Sequence, residues 1–132
     1  MRFSSTTEYN EALPLISQLV RVEKGTGSKE YRNIPIKINS KFCLSIQAGE
    51  YAYSTPREDY PSNKHYIEFE VAIFHFKNED WEWFPVSNKL DFLSWSSYFE
   101  QGDSTVAGYL DQDTIKTIIK DLIRLSDLIE FV

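Results

Sequence analysis

Apolar residues recur along this chain with two different periods. Phe42, Leu44, Ile46 and Ala48 alternate with Cys43, Ser45 and Gln47. That period of two marks a strand with one face buried. Ile34, Ile36 and Ile38 form a shorter alternating run, and Pro35 places it at a sheet edge or strand margin. Asn39-Ser40 between the two runs makes a hairpin turn. The strongest strand runs from Tyr66 to Phe76. Ile67, Phe69, Val71 and Ile73 share one face. Glu68 and Glu70 begin the other, which then turns apolar with Ala72, Phe74 and Phe76. Such a strand starts with one wet face and ends with both covered, as a central strand does under a helix or an aromatic loop. Asn78-Glu79-Asp80 predicts a turn, and Trp81, Trp83 and Phe84 a return strand closing at Pro85. Thr105 to Leu110 predicts a last short strand.

The second period is helical. Ile115, Ile118, Ile119, Leu122, Ile123, Leu125, Leu128 and Ile129 form a broad stripe, which predicts a helix from Gln112 to Glu130. Asp111 stands at its N-cap, and Asp111 and Asp113 lie at its positive end. Near the start, Tyr9, Ala12, Leu13, Ile16, Leu19 and Val20 predict a helix over 7–21, kinked early at Pro14. Ser5 and Glu8 have capping-box spacing. Between these elements, Glu23 to Ser28 reads as a loop. Gly49 marks a reversal, followed by a short strand with Tyr51 and Tyr53 on one face that stops before Pro56. Residues 54–64 form the longest loop, 86–104 are aromatic without a clean period, and Gln101 to Ser104 is a loop. The order predicts a single α+β domain over 1–132: a mainly antiparallel sheet of four to six strands, with N-terminal and C-terminal helices packed on one face. Strands without helical crossovers exclude a doubly wound parallel fold.

Composition narrows the function classes. The chain has 132 residues, 42% hydrophobic and 26% charged, enough for one real core. One cysteine excludes a disulfide scaffold. No 18-residue apolar run is present, so no membrane span or signal peptide is expected, and a reducing cytoplasm is the expected compartment. Charge is uneven. Residues 1–64 carry 9 basic and 7 acidic side chains (+2), and residues 65–132 carry 5 and 13 (−8), which gives the net −6. A nucleic-acid partner is disfavoured by that sign. Scattered acids serve solubility, and folding can gather them into a face for a basic protein partner.

Chemistry-bearing motifs are sparse. His65 and His75 would lie more than about 30 Å apart along one strand, so they do not chelate together. Cys43 reads as a small packing residue. Gly25-Thr26-Gly27-Ser28-Lys29 lacks the strand, lysine position and helix of a phosphate loop. No metal and no cofactor are expected. Glu68 and Glu70 sit roughly 6–7 Å apart on one strand face, within reach of paired acid–base work if a cleft surrounds them. They are otherwise a solvated face. The better candidates are aromatic. Tyr51, Tyr53 and Arg57 flank a proline bend, and tyrosine and arginine favour contact sites. Trp81, Glu82, Trp83, Trp95 and Tyr98 form a second group, whose aromatics make either a satellite core or an interface.

Residues 42–72 and 98–110 resemble small uncharacterised proteins encoded by bacteriophages and prophages. The likeness rests on Gly49, Tyr51, Tyr53, Thr55, Pro56, Arg57, Glu70, Val71 and Ala72. It covers under half the chain and carries no chemical motif or active residue. It implies an accessory protein of a phage or mobile element that binds and modulates a host protein, in a bacterial or phage-infected cell. The alternatives from the residues alone are a small hydrolase-like enzyme using Glu68 or Glu70, and a structural subunit of a homo-oligomer.

Overall fold

The computed structural model describes residues 3, 5–25, 29–86, 90, 93–99 and 106–126. Among these the elements are β1 (Thr7–Glu8), α1 (Leu15–Gln18), β2 (Arg21–Glu23), β3 (Tyr31–Asn33), β4 (Ile36–Lys37), β5 (Phe42–Gln47), β6 (Phe69–Lys77), β7 (Asp80–Trp83), β8 (Val106–Leu110) and α2 (Gln112–Leu125). Two 3-10 turns, Asn63–His65 and Ser96–Tyr98, lie between them.

The fold is α+β, and its main sheet is a mixed one of six strands. β5 pairs antiparallel with one edge of β6, Phe42 opposite His75 through Gln47 opposite Glu70. β7 and β8 therefore share the other edge, β7 along Phe74–Lys77 and β8 along Phe69–Ala72. β4 pairs antiparallel with β5. β1 then lies parallel to β4, with Thr7 opposite Ile36, which corrects the expectation of a mainly antiparallel sheet. β2 and β3 form a separate antiparallel pair.

The expected N-terminal helix over 7–21 is the largest correction. Only Leu15–Gln18 is helical, Pro14 is its N-cap in an extended conformation, and Thr7–Glu8 are strand. Proline offers no N–H and blocks helix before itself, so it starts the element instead of kinking it. The preceding loop is closed by Gln18. Its side chain accepts from Asn10 N at 2.7 Å and donates to the carbonyls of Asn10 and Leu13 at 2.8 and 3.1 Å. The strand expected at Tyr51 and Tyr53 is a turn instead, closed by Ala52 N–H donating to Gly49 O at 3.2 Å. β6 begins at Phe69, later than expected, and leaves Ile67 66% exposed.

The C-terminal helix follows its stripe. Asp111 Oδ1 accepts from Thr114 N at 2.8 Å, and Ile115, Ile118, Ile119 and Leu122 are buried. The part expected beyond Ser126 and the loop expected at Gln101–Ser104 lie outside the described residues. α2 covers one sheet face. Phe42, Leu44 and Ile46 of β5 and Phe69, Val71 and Ile73 of β6 join its buried residues in the main core. The opposite face has a smaller cluster of Cys43, Ala72 and Phe74, edged by Phe3, Trp81 and Val106. Among the described residues no helix is long and apolar enough to cross a membrane.

Candidate functional site

The smaller cluster belongs to the β6–β7 hairpin. Asn78 and Glu79 both have positive φ, 55° and 64°. A two-residue reversal with both residues left-handed matches the twist of the strands it joins. It fixes the register so that Phe74 faces Trp83 and Phe76 faces Trp81. Side-chain alternation then sends all four rings to the face away from α2. Ring centroids lie 4.6 Å apart for Phe74 and Trp83 and 5.3 Å for Phe76 and Trp81. Phe3 closes the group, edge-on to Phe74 at 5.2 Å and stacked with Trp81 at 6.3 Å. Asp80 Oδ1 accepts from Trp81 N at 2.8 Å at the start of the return strand. Phe76 and Trp83 remain 48% and 45% exposed.

A cleft of about 510 Å³ opens beside these rings. Phe3, Phe76 and Trp81 form its apolar wall. Glu79 and Asp80 of the hairpin, with Lys37, Thr6 and Ser40, complete its lining. Lys37 is itself the register partner of Glu8. Cys43 is fully buried on this face, and burial pushes its thiol up to about 12. Such a thiol holds its proton and packs as a small apolar group. Glu82 does not join Trp81 and Trp83. It stands opposite His75, and the same alternation puts it on the other face.

Tyr51, Tyr53 and Arg57 gather at the far end of β6. Gly49 has φ +150°, and a Cβ there would fall 2.4 Å from Asp59 Oδ1, so only glycine makes the turn. The returning segment is tied to β6 and to the residue just before it by both candidate acids. Glu70 Oε2 accepts from Tyr53 N at 3.0 Å, and Glu68 Oε1 accepts from Thr55 Oγ1 at 2.6 Å. Thr55 N–H also donates to Glu68 O at 3.1 Å. Glu68 and Glu70 thus share a face as the spacing predicts, and their oxygens hold the loop. Tyr53 O accepts from Tyr109 N at 2.9 Å. Tyr109 has φ +58°, a conformation that costs a bulky side chain roughly 1–3 kcal/mol. It places its ring 6.0 Å from that of Tyr53. The Arg57 guanidinium covers Tyr53 at 5.1 Å, and the Lys24 ammonium lies 5.9 Å from the Tyr51 ring.

The two aromatic groups therefore lie on the same face, since Glu70 and Phe76 point the same way along β6. Six residues of strand separate them by roughly 20 Å. Trp95 is elsewhere. It is buried in the main core, where its Nε1–H donates to Asp121 Oδ2 at 2.8 Å on α2. Tyr98 is exposed on the adjoining 3-10 turn. The expected grouping of Trp81, Glu82, Trp83, Trp95 and Tyr98 is thus split among four surroundings. His65 is exposed against Tyr60 at 4.6 Å, and His75 is buried against Phe84 at 5.2 Å.

Arg21 is the residue that periodicity misses. Its Nε–H donates to Tyr60 O at 2.6 Å, and its Nη2 donates to Ala48 O at 2.8 Å and Tyr66 Oη at 3.0 Å. Nη1 donates to Asn33 Oδ1 at 3.3 Å, and the guanidinium lies 5.0 Å from the Tyr66 ring centre. Burial lowers its pKa, offset in part by Tyr66 and Asp59. This one side chain joins β2, β3, the end of β5 and the loop before β6. Its partners lie 12 to 45 residues away, so no local pattern announces them.

Among the described residues no group of three or more His, Cys, Asp or Glu side chains converges as metal ligands do. No protein-family model, curated protein or solved structure matches the chain.

Proposed function

We propose that the protein is an interaction module, and that the open face of the β6–β7 hairpin meets a protein partner. The observation that carries this reading is the pair Phe76 and Trp83, each nearly half exposed on a rigid strand beside Trp81. Large apolar rings held in water cost free energy, and an adjoining protein surface removes that cost. Tryptophan with surrounding near-neutral contacts is the usual composition of a binding hot spot. Glu79 and Asp80 line the cleft beside this face, and Glu82 lies on the hairpin's other side, so the hairpin as a whole is acidic, which favours a basic partner surface. The partial resemblance to phage-encoded proteins makes a bacterial host protein the partner of choice, with modulation of that protein as the consequence.

The test is capture from bacterial lysate by immobilised protein, comparing wild type with a Phe76→Ser/Trp83→Ser double variant. Proteins retained by the wild type are lost from the double variant, while Tyr51→Ser at the far end retains them. Glu79→Gln, Asp80→Asn and Glu82→Gln together weaken the same capture more than Glu11→Gln, Glu23→Gln and Glu30→Gln do. Equal retention by all variants overturns the reading. Concentration-dependent sedimentation that disappears in the double variant instead assigns the face to a second copy of this chain.

A further inference from the structure

β7 ends the main sheet, so one of its edges has no strand beside it among the described residues. The hydrogen-bond pattern of the hairpin decides which groups that edge presents. The two-residue reversal at Asn78-Glu79 makes Lys77 and Asp80 its closing pair. Further along the same ladder, Phe84 N–H donates to Ile73 O at 3.0 Å. Hydrogen-bonded pairs of an antiparallel ladder recur at every second position. The pairs 77–80, 75–82 and 73–84 therefore hold the hairpin together, and Trp81 and Trp83 turn their main-chain groups outward. Phe76 obeys the same alternation on β6, since its N–H donates away from β7 to Lys41 O at 2.9 Å. The outward Trp81 N–H is taken by Asp80 Oδ1 at 2.8 Å. The N–H and C=O of Trp83 have no partner among the described residues, and both Glu82 and Trp83 are exposed. An edge of this kind is a template for another extended chain.

We propose that a segment of the partner protein adds to the outer edge of β7 as a further antiparallel strand, with apolar and basic side chains in alternation. This rests on the reading of the hairpin as the interaction surface, and names how that surface holds its partner. A partner residue bonded to the main chain of Trp83 places its side chain on the open face, beside the Trp83 ring, where an apolar group fits. The next residue points to the other face, beside Glu82. Lys77 and Asp80 stand opposite each other on that face, whereas Glu82 makes no ion pair among the described residues, so a basic group fits there. A second copy of β7 suits the edge poorly. Antiparallel pairing centred on Glu82 sets it against its own copy, and pairing centred on Trp81 sets it against Asp80. Like charges directly opposite are destabilising.

The experiment titrates the full chain, labelled with nitrogen-15, with the peptide acetyl-Lys-Val-Lys-Val-Lys-Val-amide at constant ionic strength, following the backbone amide of Trp83. Two further peptides of the same sequence carry N-methyl groups, one on its three valines and the other on its three lysines. The parent peptide shifts the Trp83 amide proton downfield saturably and slows its exchange with solvent. The N-methyl-lysine peptide does the same, because its methyl groups point away from β7. The N-methyl-valine peptide loses the donors that meet Trp83 and binds at least about tenfold more weakly. Glu82→Gln weakens the parent peptide about two- to fivefold and leaves the affinity for acetyl-Thr-Val-Thr-Val-Thr-Val-amide unchanged. Equal binding of the two N-methylated peptides overturns the inference, and so does a shift of the Trp83 indole without one of its amide. Either result leaves a face met by side chains alone, with the partner reading intact. An absence of saturable binding by the parent peptide overturns it as well. Exchange at the Trp83 amide that slows with protein concentration alone gives the edge to a second copy and also overturns it. The lysate comparison judges the partner reading separately, because it depends on the rings of Phe76 and Trp83 rather than on the main chain of β7.

Discussion

β6 gives the same strand two different surroundings. Phe69, Val71 and Ile73 point toward α2 and are completely buried among its isoleucines and Leu122. Phe74 and Phe76 point the other way. Phe74 is buried by neighbours on its own sheet and by Phe3, while Phe76 is half in water. On the helix side a second layer removes water from the whole face. On the open side, among the described residues, cross-strand ring pairs and Phe3 do so, and they fade toward the hairpin. Near residues 73–76 the helix side carries Ile73 and the polar His75 and the open side Phe74 and Phe76, so the difference in exposure lies in what covers the face. An apolar face with a lid stabilises the fold, and one without a lid is available to another molecule.

The largest break in this comparison comes from the lid. Leu122 is fully buried in the main core, and Leu122→Ala removes its side chain and leaves a cavity. A loss of about 2–5 kcal/mol in urea unfolding is expected. The Trp95 indole signal shifts as well, because Trp95 bonds to Asp121 one residue earlier on α2. The Trp81 and Trp83 signals of the remaining folded protein stay in place. If all three signals move together, the two faces are not independently packed.

A smaller change acts on the start of the same helix. The backbone N–H of Thr114 and then its hydroxyl hold the Asp111 carboxyl below its usual range. A carboxyl depressed in the folded state adds stability above its unfolded pKa of about 3.9, and that stability is lost as pH falls through the folded value. Asp111→Ala costs about 1 kcal/mol at neutral pH, as loss of an N-cap does. The gap between variant and wild type in thermal unfolding narrows below about pH 4 and closes at lower pH. A gap that stays constant from neutral pH into strong acid would show that the charge on Asp111 contributes nothing to the cap.

These two positions were plain in the sequence because their causes are local. The stripe of Ile115, Ile118, Ile119 and Leu122 and the capping Asp111 lie within one segment, and so do the alternating rings about Asn78-Glu79. The N-terminal part was not legible for the opposite reason. A two-residue strand such as Thr7–Glu8 has no period to detect, and its partner Ile36 lies across three intervening elements. Gln18 replaces helical bonds with its own side chain, which no propensity reports. The binding candidates divide in the same way. The rings of Trp81 and Trp83 follow from strand alternation, which also separates Glu82 from them. Trp95 lies in a stretch without a period, so its burial under α2 depends on long-range packing with Asp121. Tyr51, Tyr53 and Arg57 do gather, and the tie that gathers them is Glu70 from a strand seventeen residues on.

An exposed ring gives the sharpest statement of the contrast. Trp83 is large and aromatic, and by residue type alone its loss should rank with a core deletion. Its ring is 45% exposed, however, and its principal ring neighbour is Phe74 at 4.6 Å. An aromatic pair of this kind is worth roughly 0.5–1.5 kcal/mol beyond simple burial, and the exposed half of the ring contributes nothing to the fold. Trp83→Ser therefore lowers unfolding stability by roughly 2 kcal/mol, the pair and the buried half of the ring together, which is at the low end of the loss on the helix side. Removal of an exposed ring also relieves the apolar surface held in water, so the variant is the more soluble of the two at equal concentration. A loss in urea unfolding equal to that of Leu122→Ala would mean that a further layer covers Trp83 in solution. The open side would then be a second core rather than an uncovered face.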